Sequence, residues 1–369
     1  MKNKPTIDEN GRATFVFVGH ANKVSLCGDF NDWRKVPMIK RKGRWYLTTR
    51  PIPAGTYAFS YVINGVQQAL ASFDVGHGDY PLEVWPDDDF LPPRDKAKSE
   101  LTIVTLNTQS LQTNTRRFAK LHEMAKGLAF INADIICLNE VVSGKLYARG
   151  YDGLQVDTAE YIRRGMSHYS GKEHYLVSEP FACWERGEEL GNAIISPYPI
   201  SDVSSIALTT KSFWPAPNSQ RRCLAGRIAL PNKGNVSVFV THLMGYDYPE
   251  TPAQIQELKE FVAAHRRADD YASIVAGDFN IPATEKKNYQ RLIETSPSFV
   301  DTFARANPKA EGITAPDCKC RIDYIFWLDG REKIGNMQLS STRAFNGEPF
   351  HNRILELVSD HFAVITSLS

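Results

Sequence analysis

The sequence predicts two folded units: a small all-β, immunoglobulin-like sandwich, then a larger α/β unit whose paired sheets are covered outside by helices. Three observations point there. At 369 residues the chain exceeds the roughly 250–300 residues at which one core stops growing. Residues 87–100, DDDFLPPRDKAKSE, are charged, carry Pro92-Pro93 and hold little apolar content, as expected of a linker. Before this stretch the chain reads as short strands and turns; after it, strands alternate with helical spacing. The expected units are 1–86 and 101–369, joined by 87–100.

The first unit contains the strand-like runs ATFVFVG, KVSLCG, GRWYLTT and GTYAFSYVING. Tyr57, Phe59, Tyr61 and Ile63 alternate with smaller residues, the period of a half-buried antiparallel strand. Asn64-Gly65 supplies the hairpin turn. In the second unit LTIVTLN and DIICLNEV are strands, separated by a helix on which Phe118, Leu121, Ala125 and Leu128 share a face. The later strands are NAIISPYPI, CLAGRIAL, NVSVFVTHL, ASIVAGDFN, RIDYIFWL and HFAVITSL. A further helix is expected to begin at Thr251-Pro-Ala-Gln254, with Thr251 as cap, Pro252 at the first position and Gln254 reaching back. Its apolar face continues through Ile255, Leu258 and Phe261.

Charge and cysteine usage exclude some classes of protein. The formal net charge is +1, so no global field steers the chain to nucleic acid or an anionic membrane. No apolar run is long enough to cross a bilayer, and MKNKPTIDENGRATF lacks the apolar stretch of a secretory signal. Of the six cysteines (Cys27, Cys137, Cys183, Cys223, Cys318 and Cys320) most lie in apolar runs. Cys318-Lys-Cys320 is a single C-x-C pair without a second pair, which disfavours zinc. Reduced thiols and a cytoplasmic location are expected.

Six strand ends in the second unit finish in residues that metal and phosphate chemistry uses: Asn107, Glu140, His242, Asp278 with Asn280, Asp323, and Asp360 with His361. One carboxylate at a strand end is usually a loop cap or a surface charge. Six such ends, supplying amide, carboxylate and imidazole, read as one site. Asp278 and Asn280 are two apart and share a face if the chain stays extended. Asp360 and His361 are adjacent, so both can serve only where the backbone is irregular.

The stretches TLNTQS, IICLNEV, GNAIISPYPI, VFVTHL, VAGDFN, RIDYIF and SDHFAV resemble the endonuclease/exonuclease/phosphatase superfamily, whose fold is that of pancreatic deoxyribonuclease. The resemblance covers residues 101–369. It implies a four-layer α/β/β/α sandwich and Mg²⁺-dependent cleavage of a phosphoester, with Mn²⁺ as the alternative ion. Carried over by motif, Glu140 is the main metal ligand, helped by Asn107 and Asp360. Asp323 holds His361. Asp278 orients or deprotonates the attacking water, or assists the leaving oxygen. Asn280 and His242 hydrogen-bond the non-bridging phosphate oxygens. Arg222 stands where relatives carry a phosphate-facing arginine, with Arg221 beside it as the alternative. Which of Asp278, His242 and His361 takes the water's proton stays open. Relatives often have Gln where this chain has Asn139, a change expected to be harmless, and Arg where it has Thr251.

GDFN occurs twice, at 28–31 and 277–280. The first copy lies in KVSLCGDFNDW, which with GRWYLTT and PAGTYAFSYVING resembles a family 48 carbohydrate-binding module across residues 11–86. Asp29 and Asn31 are read there as turn residues that bond their own backbone. Trp33 matches a sugar-stacking position. Gln67, Ser60 and the segment DVGHGDYPLEV depart from the family's glucan site, so a structural or partner-binding appendage is favoured over a glucan binder. Trp45 and Trp85 are either a second aromatic platform or core. Residues 142–190 and 211–222 are read as loops. Their Tyr161, Tyr169, Trp184, Phe213 and Trp214 are candidate stacking groups, and Arg163 and Arg164 candidate phosphate partners. The leading substrate is a small or glycan-linked phosphoester. Nucleic acid comes second, and a non-catalytic scaffold third.

Overall fold

The computed structural model describes residues 5–8, 12–31, 33–52, 55–69, 71–75, 93–109, 117–146, 154–183, 188–211, 220–231, 233–328, 338–344, 349–350, 353–354 and 359–369. Trp85, Trp184, Phe213, Trp214 and most of DVGHGDYPLEV lie outside them.

The described residues up to 75 form two antiparallel sheets. One has the order Thr6–Ile7, Arg12–Val18, Arg44–Pro51, Ile39–Arg41; the other runs Val36–Pro37, Val24–Gly28, Gly55–Ile63, Val66–Gln67, with Ala71–Val75 also paired to Gly55–Ile63. Phe15, Phe59 and Phe73 meet at ring separations of 5.0–5.7 Å, forming an aromatic core. Asn64 and Gly65 have φ of +48° and +89°, the mirror-image turn that suits a two-residue hairpin. The strand Gly55–Ile63 is not half-exposed as expected, since Ala58, Ser60 and Val62 are buried along with Tyr57, Phe59 and Tyr61. Ser60 Oγ donates to Gln68 O at 2.7 Å, tying the segment after the hairpin to that face.

The α/β unit has two larger sheets. In space the first runs Tyr175–Cys183, Glu188–Ser196, Ile135–Leu146, Leu101–Asn107, Ala363–Leu368, Leu339–Ala344. The second runs Ile200–Ala207, Arg222–Leu230, Gly234–His242, Ala272–Asp278, Asp323–Leu328, Val300–Asp301. Alternation along the strands assigns the layers. Ile103, Ile135, Cys137 and Ile194 of the first sheet face Val238, Val240, Ile274 and Trp327 of the second, and together they form the central core. The next residues along, Val104, Leu106, Ile136 and Leu138, face out onto helices α1 (Arg117–Ile131) and α2 (Thr158–Ser170). On the far side Phe239, Val275, Tyr324 and Phe326 pack against α3 (Thr251–His265) and α4 (Lys286–Glu294). The result is the four-layer α/β/β/α sandwich.

Helix α2 lies inside a stretch expected to be loop. Asp157 caps it, its Oδ1 accepting Glu160 N–H at 2.9 Å, and Gly171 ends it in the left-handed region at φ +66°. Tyr161, Ile162, Met166 and Tyr169 line its buried face. Helix α3 starts where expected, but Thr251 is its first residue rather than its cap. The Thr251 hydroxyl donates to Gly245 O at 2.6 Å, and Gln254 Oε1 accepts Met244 N–H at 2.9 Å, so both side chains brace the preceding loop. Within the linker-like stretch, Arg94 N–H donates to Phe130 O at 2.8 Å and Lys96 pairs with Asp134 at 2.7 Å. Among the described residues no helix is long and apolar enough to cross a membrane.

Two parallel pairings fix the functional edge. Leu101–Asn107 runs parallel to Ile135–Leu146 through α1, and Gly234–His242 runs parallel to Ala272–Asp278 through α3. Their carboxyl ends therefore emerge together. Asn107 stands opposite Asn139, His242 opposite Asp278, and Asp278 opposite Asp323.

Candidate active site

Glu140 reaches the site through a β-bulge. The register between Ile135–Leu146 and Glu188–Ser196 slips between Asn139 and Val141, and Glu140 takes φ +55°. A non-glycine residue in that region is strained, and such strain concentrates at functional sites. Asn107 links the sheets, its Nδ2 donating to Glu140 Oε1 at 3.2 Å and to Asp278 Oδ2 at 3.0 Å. His242 Nε2 lies 3.4 Å from Asp278 Oδ2 and 4.0 Å from Glu140 Oε1. Asn280 is not aligned with Asp278 by an extended strand. Its own N–H donates to Asp278 Oδ1 at 2.8 Å in a turn with φ +51°, because the strand has already ended. That turn brings Asn280 Nδ2 to 3.0 Å from His242 Nε2.

His361 and Asp323 form a pair across the two sheets, with Nδ1 2.8 Å from Oδ2. Ser359 holds the irregular segment in place: its hydroxyl donates to Asn107 O at 2.6 Å and accepts His361 N–H at 3.1 Å. Burial alone would lower the His361 pKa, but Asp323, then Asp278 and Asp360, outweigh it and hold the imidazole charged well above its ordinary range. His242 is the opposite case. Burial, aided by Arg221 and His361, pushes its pKa well down and keeps it neutral. Burial first, and Asp323 second, push Asp278 up to about 7. Asp360 is also raised, by burial and then by Glu140, although its side chain is 42% exposed.

The donor set fits a hard divalent cation. Crowded carboxylates with raised pKa values are what such an ion relieves, and Glu140 and Asp360 offer oxygens at the accessible side of the cluster. Asn107 presents its NH₂ to the carboxylates while Oδ1 accepts Gln109 N–H at 2.9 Å, so a ligand role requires its amide to turn about χ2. Donor atoms of Asp278, Asp323 and His361 lie within 4.8 Å of one another. With a proton shared between His361 and Asp323, that trio is better suited to proton handling than to caging a cation.

Asn139, where relatives often carry Gln, ties the two sheets together. Its Oδ1 accepts Asp278 N–H at 2.8 Å, while its Nδ2 donates to Thr241 O at 2.9 Å and Asn192 Oδ1 at 2.8 Å. Gly277 makes this approach possible: at φ +136°, a Cβ there would lie 2.0 Å from Thr241 O and 3.0 Å from Asn139 Oδ1. The first GDFN is a different structure. Asp29 Oδ2 accepts Ala58 N–H at 2.7 Å, Oδ1 accepts Trp33 Nε1–H at 3.0 Å, and Asn31 Oδ1 accepts Gly28 N–H at 2.9 Å.

Several sequence candidates lie elsewhere. Arg222 turns away from the cluster, with Nε 3.0 Å from Glu179 and Nη2 donating to Ser205 at 3.1 Å. Arg221 is the arginine turned inward, stacked on Phe181 at 5.3 Å with Nε 3.4 Å from Met244 Sδ. Burial lowers it to about 10 against the pull of Glu140 and Asp278. Tyr161 and Tyr169 are buried in the α2 layer and offer no stacking face. Arg163 and Arg164 both pair with Glu160 at 2.6 Å, one turn away on the same helix. Trp45 is core, and Trp33 is half-buried with its indole N–H committed to Asp29.

Comparison with known proteins bears on the family and the fold. The family model described as the endonuclease/exonuclease/phosphatase family matches residues 104–361. A second, described as the glycogen recognition site of AMP-activated protein kinase, matches residues 12–78. No curated protein matches the chain. Among solved structures, an endonuclease/exonuclease/phosphatase family protein from Leptotrichia buccalis C-1013-b is 20% identical over 73% of this chain and 99% of its own, with a TM-score of 0.59. An endonuclease/exonuclease/phosphatase from Beutenbergia cavernae DSM 12333 is 17% identical over 73% and 71%, with a TM-score of 0.55. The human Nocturnin catalytic domain is 17% identical over 73% and 94%, with a TM-score of 0.50. At these identities the likeness to solved structures is one of fold. The first family match spans well over half of the sequence, and the chain belongs to the endonuclease/exonuclease/phosphatase family.

Proposed function

We propose that the protein is a divalent-cation-dependent phosphoesterase that cleaves a phosphodiester or phosphomonoester by attack of water. The carrying observation is that Asn107, Glu140 and His361, borne by one sheet, meet His242, Asp278 and Asp323, borne by the other, within hydrogen-bonding or near-contact distance. Glu140 and Asp360, with Asn107 after its amide turns, would hold Mg²⁺ or Mn²⁺. A bound cation would neutralise charge on the phosphoryl oxygens.

The chain's own groups divide the remaining work. Asp278, near pKa 7 and 3.4 Å from neutral His242, is suited to orient the attacking water and take its proton. His361, kept charged by Asp323, directs Nε2 to within 3.9 Å of Asp278 and can donate to a phosphoryl or leaving oxygen. Asn280 and His242 stand beside that position as further hydrogen-bonding groups. Arg221 supplies buried positive charge, the part assigned by motif to Arg222.

We assign residues 1–86 to a carbohydrate-module-like domain, joined through 87–100 to the phosphoesterase domain at 101–369. Ser60, buried and bonded to Gln68, and Gln67 at the hairpin favour a structural or partner-docking role over glucan binding. Buried free thiols at Cys27, Cys137 and Cys223 are compatible with a cytoplasmic setting. The test is a screen of the purified chain with Mg²⁺ or Mn²⁺ against sugar phosphates, nucleotides, phosphoinositides and phospholipids. Hydrolysis of at least one class is expected, and none with either ion contradicts the proposal. Strong competition by single-stranded DNA would favour a nuclease instead.

A further inference from the structure

The loop after His242 carries two tyrosines that the catalytic set does not use. Residues 243–250, LMGYDYPE, are braced on both sides. Leu243 N–H donates to Asp278 O at 3.0 Å, Tyr246 N–H to Asn280 O at 3.0 Å, and Thr251 N–H to Tyr248 O at 3.2 Å. On this pinned backbone Tyr246 and Tyr248 remain 49% and 36% exposed. The Tyr248 ring lies over Gly245, where a Cβ would come within 3.2 Å of Cδ2. Met244 Sδ lies 3.4 Å from Arg221 Nε, which sets the start of this loop on the flank of the catalytic cluster.

Single exposed aromatics are ordinary. Two on a braced loop, attached by backbone to the residues at a catalytic edge, are pre-ordered binding surface and lose little entropy when a ligand settles on them. The sign of the loop's charge narrows the ligand. It has no Lys or Arg; Asp247 is exposed, and Glu250 is buried against Lys211 N–H at 3.0 Å. The loop itself offers a polyanionic strand no cation. A neutral ring rich in hydroxyls suits both features, its C–H face lying on tyrosine and its hydroxyls donating to a carboxylate.

We propose that Tyr246, Asp247 and Tyr248 form a subsite for the sugar ring of a sugar phosphoester and so set which organic group the enzyme accepts. The subsite rests on the phosphoesterase assignment of the adjoining edge. Wild type, Tyr246→Ala/Tyr248→Ala and Asp247→Asn are compared on a hexose phosphate, a nucleoside monophosphate and glycerol phosphate with Mg²⁺. The expected result is a fall of about tenfold in the hexose-to-glycerol ratio of kcat/KM for the double variant, carried by KM. An unchanged ratio overturns the subsite, and a larger loss on the nucleotide than on the hexose phosphate assigns the tyrosines to a base instead. Calorimetric binding of the hexose phosphate is read in parallel. If wild type hydrolyses none of the three, the phosphoesterase assignment fails for these substrates, yet binding that the double variant loses still supports the subsite. Absent or equal binding contradicts it. Thermal unfolding of the variants checks that the substitutions leave the fold intact.

Discussion

Asn139 on one sheet holds Asp278 on the other: its Oδ1 accepts the Asp278 N–H at 2.8 Å, and its Nδ2 reaches Thr241 O at 2.9 Å. Glu140, the next residue, is thereby set in register with His242 and Asp278. Asn139 is fully buried and its bonds are short, so Asn139→Gln must fit an added methylene beside Gly277. Overpacking of that kind costs about 1–3 kcal/mol. Urea unfolding should show a loss of this size, with kcat falling more than KM rises. Wild-type stability and turnover would mean that the site accepts glutamine's added length without cost.

The Asp323–His361 pair predicts a pH dependence. The folded His361 pKa is raised by Asp323 despite the opposing effect of burial. Its stabilising contribution is therefore complete below the unfolded value of about 6.5 and is lost as pH rises through the folded value. Asp323→Asn removes the largest raising cause, so the His361 ring should titrate at lower pH and the alkaline loss of stability should begin earlier. NMR titration of the His361 ring reads this directly. An unshifted titration contradicts the pair.

Cation binding should be linked to protons. Asp278 is raised to about 7, and Asp360 is raised by burial and Glu140. For carboxylates shifted upward, the charged form is disfavoured in the fold, and stability declines as pH climbs toward the folded values. A cation bound beside them favours the deprotonated forms and restores it. Saturating Mg²⁺ should then raise Tm more at about pH 8 than at about pH 5.5. Equal shifts at both pH values would place the ion elsewhere.

Much of the site was legible because strand physics makes it so. Two parallel pairings bring Asn107 beside Asn139 and His242 beside Asp278, so polar residues at successive strand ends had to share an edge. What escaped depends on departures from regular pairing. The bulge at Glu140 and the turn at Asn280 are single-residue events with positive φ, and neither residue type announces one. The choice between Arg221 and Arg222 turns on strand parity, which CLAGRIAL conceals because it is apolar on both faces. Helix α2 did leave a signal: Asp157, Glu160 and the spacing of Tyr161, Ile162, Met166 and Tyr169. The basic and aromatic residues around it suggest surface recognition, whereas Tyr161 and Tyr169 are core and Arg163 and Arg164 pair with Glu160.

The central claim, that Glu140 anchors a divalent cation at a phosphoester-cleaving edge, is tested most directly by the Mg²⁺ dependence of hydrolysis in wild type and Glu140→Gln. The substitution removes one charge from an accessible bulge and should spare the fold. We expect saturable Mg²⁺ activation in wild type and a fall in kcat of about 10²-fold or more in the variant, with a higher Mg²⁺ requirement. Equal turnover of the two proteins at low Mg²⁺ would contradict the account.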